Sequence, residues 1–203
     1  MQISIRSDSV EISGYVNAVE RNSNPLRERN GDYFIERICK GAFKKALNRG
    51  ENIRLLLNHE NDRELGSTES GNLELNEDSI GLHARATITD KDVIDKARKG
   101  DLVGWSFGFK DIDVDVSEGN KGMAVREVKD LDLKEVSILD RTRTPAYDGT
   151  LLLTRAEDDS CYGEMLITDI EIREETSPTQ QEAVKDKIDY SKYEAIIEEI
   201  KED

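Results

Sequence analysis

Leu102-Val103-Gly104-Trp105-Ser106-Phe107-Gly108-Phe109 is the stretch that decides how the rest of the chain is read. On a strand, successive side chains point to opposite faces. Val103, Trp105, Phe107 and Phe109 therefore share one face, and Gly104, Ser106 and Gly108 share the other. The aromatic face can bury itself and hold the backbone rigid. The opposite face presents one hydroxyl between two residues without side chains, which lets another chain come close. A nucleophilic serine needs that access. A core strand packed tightly on a neighbour accounts for the same glycines, and the segment alone leaves both readings open. Gly104 to Gly108 also spells G-x-S-x-G, but a hydrolase nucleophile elbow needs strand, sharp turn and helix in succession. Here alternation continues beyond Ser106, so the elbow is rejected.

Working outward, the chain through Leu153 reads as short alternating strands with a few helical interruptions. Val10, Ile12 and Val16 alternate with polar residues around Gly14, as do Leu82, Ala84, Ala86 and Ile88 with His83, Arg85, Thr87 and Thr89. Ile112, Val114 and Val116 alternate with Asp111, Asp113 and Asp115. A helix is expected from Gly41 to Asn48, stopped by Gly50. A second is expected from Asp90 to Lys99, with Asp90 as N-cap, Val93, Ile94 and Ala97 as its apolar stripe and Gly100 as its end. Many strands at turn-separated spacing predict an α+β, mainly β fold, a small barrel or sandwich decorated by helices.

Two further segments can carry chemistry. If Asn52 to Glu60 is a strand, Ile53, Leu55, Leu57 and His59 point to one side. His59 then stands at the end of a buried face, partly desolvated, where a general base is useful. A histidine that merely ends a strand fits as well. In Leu131 to Leu139, Glu135 shares its face with Leu131, Leu133, Ser137 and Leu139. A carboxylate on an apolar face is costly unless a hydrogen-bond donor or cation meets it. An imidazole N–H would serve, and so would an arginine.

Other candidates fail. His83 falls on the polar face of its strand beside Arg85. The aspartates at 111, 113 and 115 begin like a calcium loop, yet the sixth position is Val116 and the twelfth Gly122, where glycine and glutamate are needed. With two histidines and two distant cysteines, Cys39 and Cys161, neither a metal site nor a disulfide is expected, and no cofactor motif is found.

The chain has 203 residues and a net charge of −15, which argues against nucleic acid as a partner. The charge is uneven. Residues 156–203 hold sixteen acidic and five basic residues, a net of −11, against −4 for the first 155. We therefore expect a folded domain over 1–155 and an acidic C-terminal tail over 156–203. Within the tail, Met165 to Ile172 could add a strand, and Tyr193, Ile196, Ile197 and Ile200 have the spacing of one apolar helix face, docked or simply solvated. No apolar run approaches the roughly 20 residues of a membrane span, and the N-terminus lacks the pattern of a secretory signal. A cytoplasmic protein without membrane association is expected.

The ordered set of segments resembles the prohead-protease family of tailed phages, which is similar in fold to the herpesvirus assemblin proteases. The set runs from Gly14-Tyr15 and Gly41-Ala42-Phe43 through Leu57-Asn58-His59-Glu60, Leu65-Gly66 and Gly81-Leu82. It continues with Gly104 to Phe109 and Leu133-Lys134-Glu135-Val136-Ser137, and closes with Thr144-Pro145-Ala146-Tyr147. It covers roughly residues 10–152; the acidic tail lies outside it.

The resemblance implies a herpesvirus-protease-like, seven-stranded, mostly antiparallel barrel surrounded by helices. It also implies a serine endopeptidase with its triad in the chain order His59, Ser106, Glu135, the third member being a second histidine in the herpesvirus relatives. Those relatives carry an adjacent arginine pair for the oxyanion. Here Arg141 and Arg143 stand in that region, separated by Thr142. Implied substrates are the phage major capsid protein and scaffold, cut inside the assembling procapsid in the host bacterial cytoplasm, with self-cleavage and a homodimer. The competing expectation is a non-catalytic capsid-assembly or scaffold-binding protein on the same fold.

Overall fold

The computed structural model describes residues 1–23, 25–27, 32–119, 123–143, 161–166 and 170–174. Alternating apolar and polar residues near the N-terminus produce β1 (Gln2–Ile5) and β2 (Val10–Ala18), an antiparallel pair. Next to β2 lie β8 (Gly81–Ile88) and then β7 (Leu73–Glu77), both antiparallel to their neighbours. A short strand from far along the chain, β12 (Glu171–Glu174), runs parallel to β1 and completes a five-stranded sheet.

The second sheet is built on two seventeen-residue strands, β9 (Leu102–Glu118) and β10 (Ala124–Asp140), paired antiparallel. Two shorter strands share the other edge of β10, both parallel to it. The first part of β10 pairs with β4 (Tyr33–Ile38), itself bordered by β3 (Leu26–Arg27). The last part pairs with β5 (Arg54–Leu57), bordered by β6 (Glu64–Ser67). On the other edge of β9, β11 (Cys161–Leu166) pairs antiparallel. The fold is α+β and mainly β, as expected. Seven strands do share this sheet, but no closed barrel is detected among the described residues. The sheet forks at β10, whose outer edge is divided between β4 and β5.

Both expected helices are present. α1 (Ala42–Asn48) starts after Gly41, whose φ of 90° suits a residue without a Cβ. The Glu77 carboxylate closes that end, accepting from the N–H groups of Gly41 and Lys44 at 2.6 Å each. α2 (Lys91–Lys99) is capped by Asp90, which accepts from Val93 N–H at 3.0 Å, and ends on left-handed Gly100. Its stripe of Val93, Ile94 and Ala97 is buried.

The core gathers between the two sheets and the helices. Val10, Ile12 and Val16 meet Leu82, Ala84, Ala86 and Ile88 there, together with Trp105, Phe107 and Phe109. Phe43 of α1 meets Phe107 edge-on at 5.3 Å, and Phe107 stacks on Phe109 at 5.4 Å. Each such side chain contributes on the order of 1.5–3 kcal/mol by leaving water. The aromatic half of the deciding segment is thus the clamp expected of it. Past Phe109 the expectation breaks down: Ile112 and Val116 are 54% and 66% exposed. The strand expected at Met165 to Ile172 is replaced by the two strands β11 and β12. The segment Thr144 to Tyr147 and the apolar spacing from Tyr193 to Ile200 lie outside the described residues.

Candidate active site

β5 stops at Leu57, and the chain turns at once. Asn58 and His59 both take left-handed backbone, with φ of 55° and 62°. His59 therefore does not continue the face of Leu55 and Leu57, as strand parity predicted. It sits in a turn. A residue with a side chain rarely holds this conformation and needs its surroundings to enforce it. Here β10 does so. The Asn58 N–H donates to Ile138 O at 2.9 Å. Asn58 Oδ1 accepts from Asp140 N–H at 3.0 Å, and His59 N–H donates to Ser137 Oγ at 3.2 Å.

This turn swings the imidazole onto β10, where His59 Nδ1 lies 2.6 Å from Glu135 Oε1. Glu135 is 6% exposed. Its second oxygen, Oε2, accepts from Ser137 Oγ at 2.6 Å, so a buried carboxylate has both oxygens met. An ionised carboxylate only accepts, which puts a proton on Nδ1 and leaves Nε2 of the neutral ring as the basic atom. Strand parity had put Glu135 on the face of Leu131 and Leu133. A register shift between Leu133 and Glu135 reverses this: Leu133 stands opposite Phe109 on the aromatic face, and Glu135 stands opposite Gly108.

Ser106 is the cross-strand partner of Ser137. Directly opposed residues of an antiparallel pair share a face. Ser106, Gly104 and Gly108 on β9 therefore line up with Ser137, Leu139 and Glu135 on β10. The sheet backs the aromatic core with its other side, so the hydroxyl, the carboxylate and the histidine turn are brought to one patch. β9 runs straight through Ser106, in keeping with the rejected elbow. The expected open approach is not found, because Ser106 is fully buried, with paired strands on both edges of β9.

Residues 1–160 match the family of caudovirus prohead serine proteases, well over half of the chain. The chain belongs to that family. Membership makes it a serine protease of a group that matures phage capsids. No curated protein and no solved structure gives a match. Strands β11 and β12 lie beyond the matched residues, yet each closes a sheet edge of the matched part.

The remaining candidates are dispersed. His83 meets Tyr15 edge-on at 5.1 Å in the other sheet, where Tyr15 OH donates to Asp78 at 2.6 Å. Arg141 opens a 3-10 turn, Arg141–Arg143. Its N–H donates to Asp101 O at 2.9 Å, and its largely exposed guanidinium lies 3.7 Å from Asp101. The side chain of Arg143 lies outside the described residues. Among those residues no helix is long and apolar enough to cross a membrane, and no group of three or more His, Cys, Asp or Glu could hold a metal ion.

Three supporting residues went unassigned in the sequence: Ser137, Asn58 and Asp140. Asp140 is buried, and burial pushes its carboxyl up. The hydroxyl and N–H of Thr142, the Asn58 side chain and nearby Lys96 outweigh that and hold it below its ordinary value. The only available signal was parity, which put Ser137 on the face of Glu135.

Proposed function

We propose that the chain is an endopeptidase cleaving scaffold and the extensions of the major capsid protein within the procapsid, using Ser106, His59 and Glu135. The observation that carries this reading is the 2.6 Å contact of His59 Nδ1 with buried Glu135, on the face where Ser106 stands one strand away. His59 Nε2 takes the Ser106 proton as Oγ attacks the scissile carbonyl. The C–N bond then breaks, the proton passes to the leaving amine, and water releases the acyl group by the reverse route. Glu135 fixes the tautomer and stabilises the imidazolium throughout.

The oxyanion of the tetrahedral intermediate needs a preorganised donor, worth about 3–4 kcal/mol. We assign it to Arg143 or its backbone N–H. Arg141 is less suited, since Asp101 already accepts its N–H. Because Ser106 is closed to solvent, a substrate must first displace what covers it. Self-cleavage, a homodimeric state and action inside the procapsid in the host bacterial cytoplasm belong to the same reading.

A second reading, a non-catalytic assembly protein on this fold, is favoured by the complete burial of Ser106. A fluorophosphonate separates the two. Labelling at Ser106, lost in Ser106→Ala with the melting temperature unchanged and a co-expressed capsid precursor left intact, supports the protease. An unlabelled wild-type protein alongside uncut precursor supports the assembly role. Precursor still cut by Ser106→Ala would remove Ser106 from the mechanism.

A further inference from the structure

We infer that Ser137 is a positioning residue that holds the general base and its orienting carboxylate together; this rests on the triad reading above. Its side chain is fully buried. One hydroxyl makes two contacts, and they fall on two different members of the relay. It donates to Glu135 Oε2 at 2.6 Å and accepts from the His59 backbone N–H at 3.2 Å. A hydroxyl has one proton and two lone pairs, so both bonds form at once.

The consequence for Glu135 is rotational. With Oε2 on Ser137 and Oε1 on the imidazole, the carboxylate cannot spin about its last torsion without breaking a hydrogen bond to a charged group. The consequence for His59 is a pinned backbone at φ 62°, the strained conformation that aims its ring at Glu135. The same serine is the cross-strand partner of Ser106, so the clamp is on the rung of the ladder that carries the nucleophile. Its own proton is committed to Glu135, which makes it unsuited to attack a substrate. A residue with a hydroxyl is required there, since alanine leaves Oε2 and the His59 N–H without this partner.

The test reads nucleophile activation directly, as the second-order rate of Ser106 phosphonylation by a fluorophosphonate. In that step Oγ bonds to phosphorus, fluoride leaves, and His59 takes the proton. Four full-length proteins are compared: wild type, Ser137→Ala, Glu135→Gln and the double variant. Ser137→Ala is expected to slow labelling by about tenfold to a hundredfold, and Glu135→Gln by at least about tenfold. The double variant should be slowed by clearly less than the product of the two single effects, because residues acting as a unit lose part of their effect together. Ser137→Cys, close in shape but a weaker donor, should keep the fold and label at a rate between wild type and Ser137→Ala. A double variant slowed by the product of the two single effects overturns the proposal while leaving the triad standing. Glu135→Gln labelling at the wild-type rate has a different signature and overturns the triad reading itself.

Discussion

The strand pair β9–β10 contains two regions with one sequence signature and two fates. From Leu102 to Phe109, and from Leu133 to Leu139 opposite, nearly every residue is buried on both faces. From Lys110 to Glu118, with Ala124 to Asp132 opposite, the same alternation runs on, but Ile112 and Val116 stand in solvent. Val128 and Leu131 of the outer region still reach the core, and charged pairs hold the rest of it. Arg126 bonds to Asp111, lies 3.6 Å from Glu36 and covers the Phe34 ring at 5.3 Å, while Arg37 bonds to Glu127 and Lys129 to Asp115. Alternation therefore reports an extended backbone and says nothing about what covers it. The candidate site occupies the region covered on both sides, where desolvation makes one carboxylate–imidazole contact matter and packing fixes its geometry.

The sharpest way to break this contrast is to delete bulk from the inner region. Phe107 is buried against Phe43 and Phe109. Phe107→Ala should cost about 3–5 kcal/mol, the loss of transfer energy plus a cavity. Urea unfolding followed by the fluorescence of Trp105, the single tryptophan, would measure it. A loss under about 1 kcal/mol would mean that the inner region is not the rigid platform described.

An intermediate effect is expected at the inner end of β10, where Asp140 joins Asn58, Thr142 and Lys96. Its carboxyl is held below the ordinary value of 3.8. A depressed value means that the unfolded chain takes up the proton first. The stabilisation is then complete above 3.8 and disappears as pH falls through the folded value. Asp140→Asn should cost about 1–2 kcal/mol at neutral pH and flatten the fall of stability on the acid side. A pH series of melting temperatures that stays parallel to wild type would contradict the assignment.

What could be read from the sequence follows the same division. Both helices and the alternating strands were legible, because capping residues, a left-handed glycine and a period of two are local signals. The pairing of His59 with Glu135 was legible only through chain order and the family resemblance, and two of the reasons given for it were wrong in detail. His59 is not on a strand face, since Asn58 and His59 turn left-handed as soon as β5 ends. Glu135 is not on the face of Leu133, since a bulge intervenes. Neither turn nor bulge has a glycine or proline to announce it; both are imposed by pairing across β10, which local pattern cannot see. Ser137 was visible as a face-mate of Glu135, but its second bond reaches a backbone seventy-eight positions earlier in the chain. The lack of a closed barrel among the described residues has the same origin, because two strands sharing one edge of β10 is a fact of topology, not of any segment.

The smallest effect is expected at Val116, on the exposed face of the outer region. Val116→Thr keeps the branched shape that a strand prefers and exchanges one methyl for a hydroxyl. At 66% exposure little apolar area is lost, so urea unfolding should change by less than about 0.5 kcal/mol. The same exchange in the inner region would bury an unmet hydroxyl, which costs about 1–3 kcal/mol. A penalty of that size at Val116 would show that something covers the outer ribbon in solution. The contrast between the two regions would then belong to the isolated chain and not to the assembled protein.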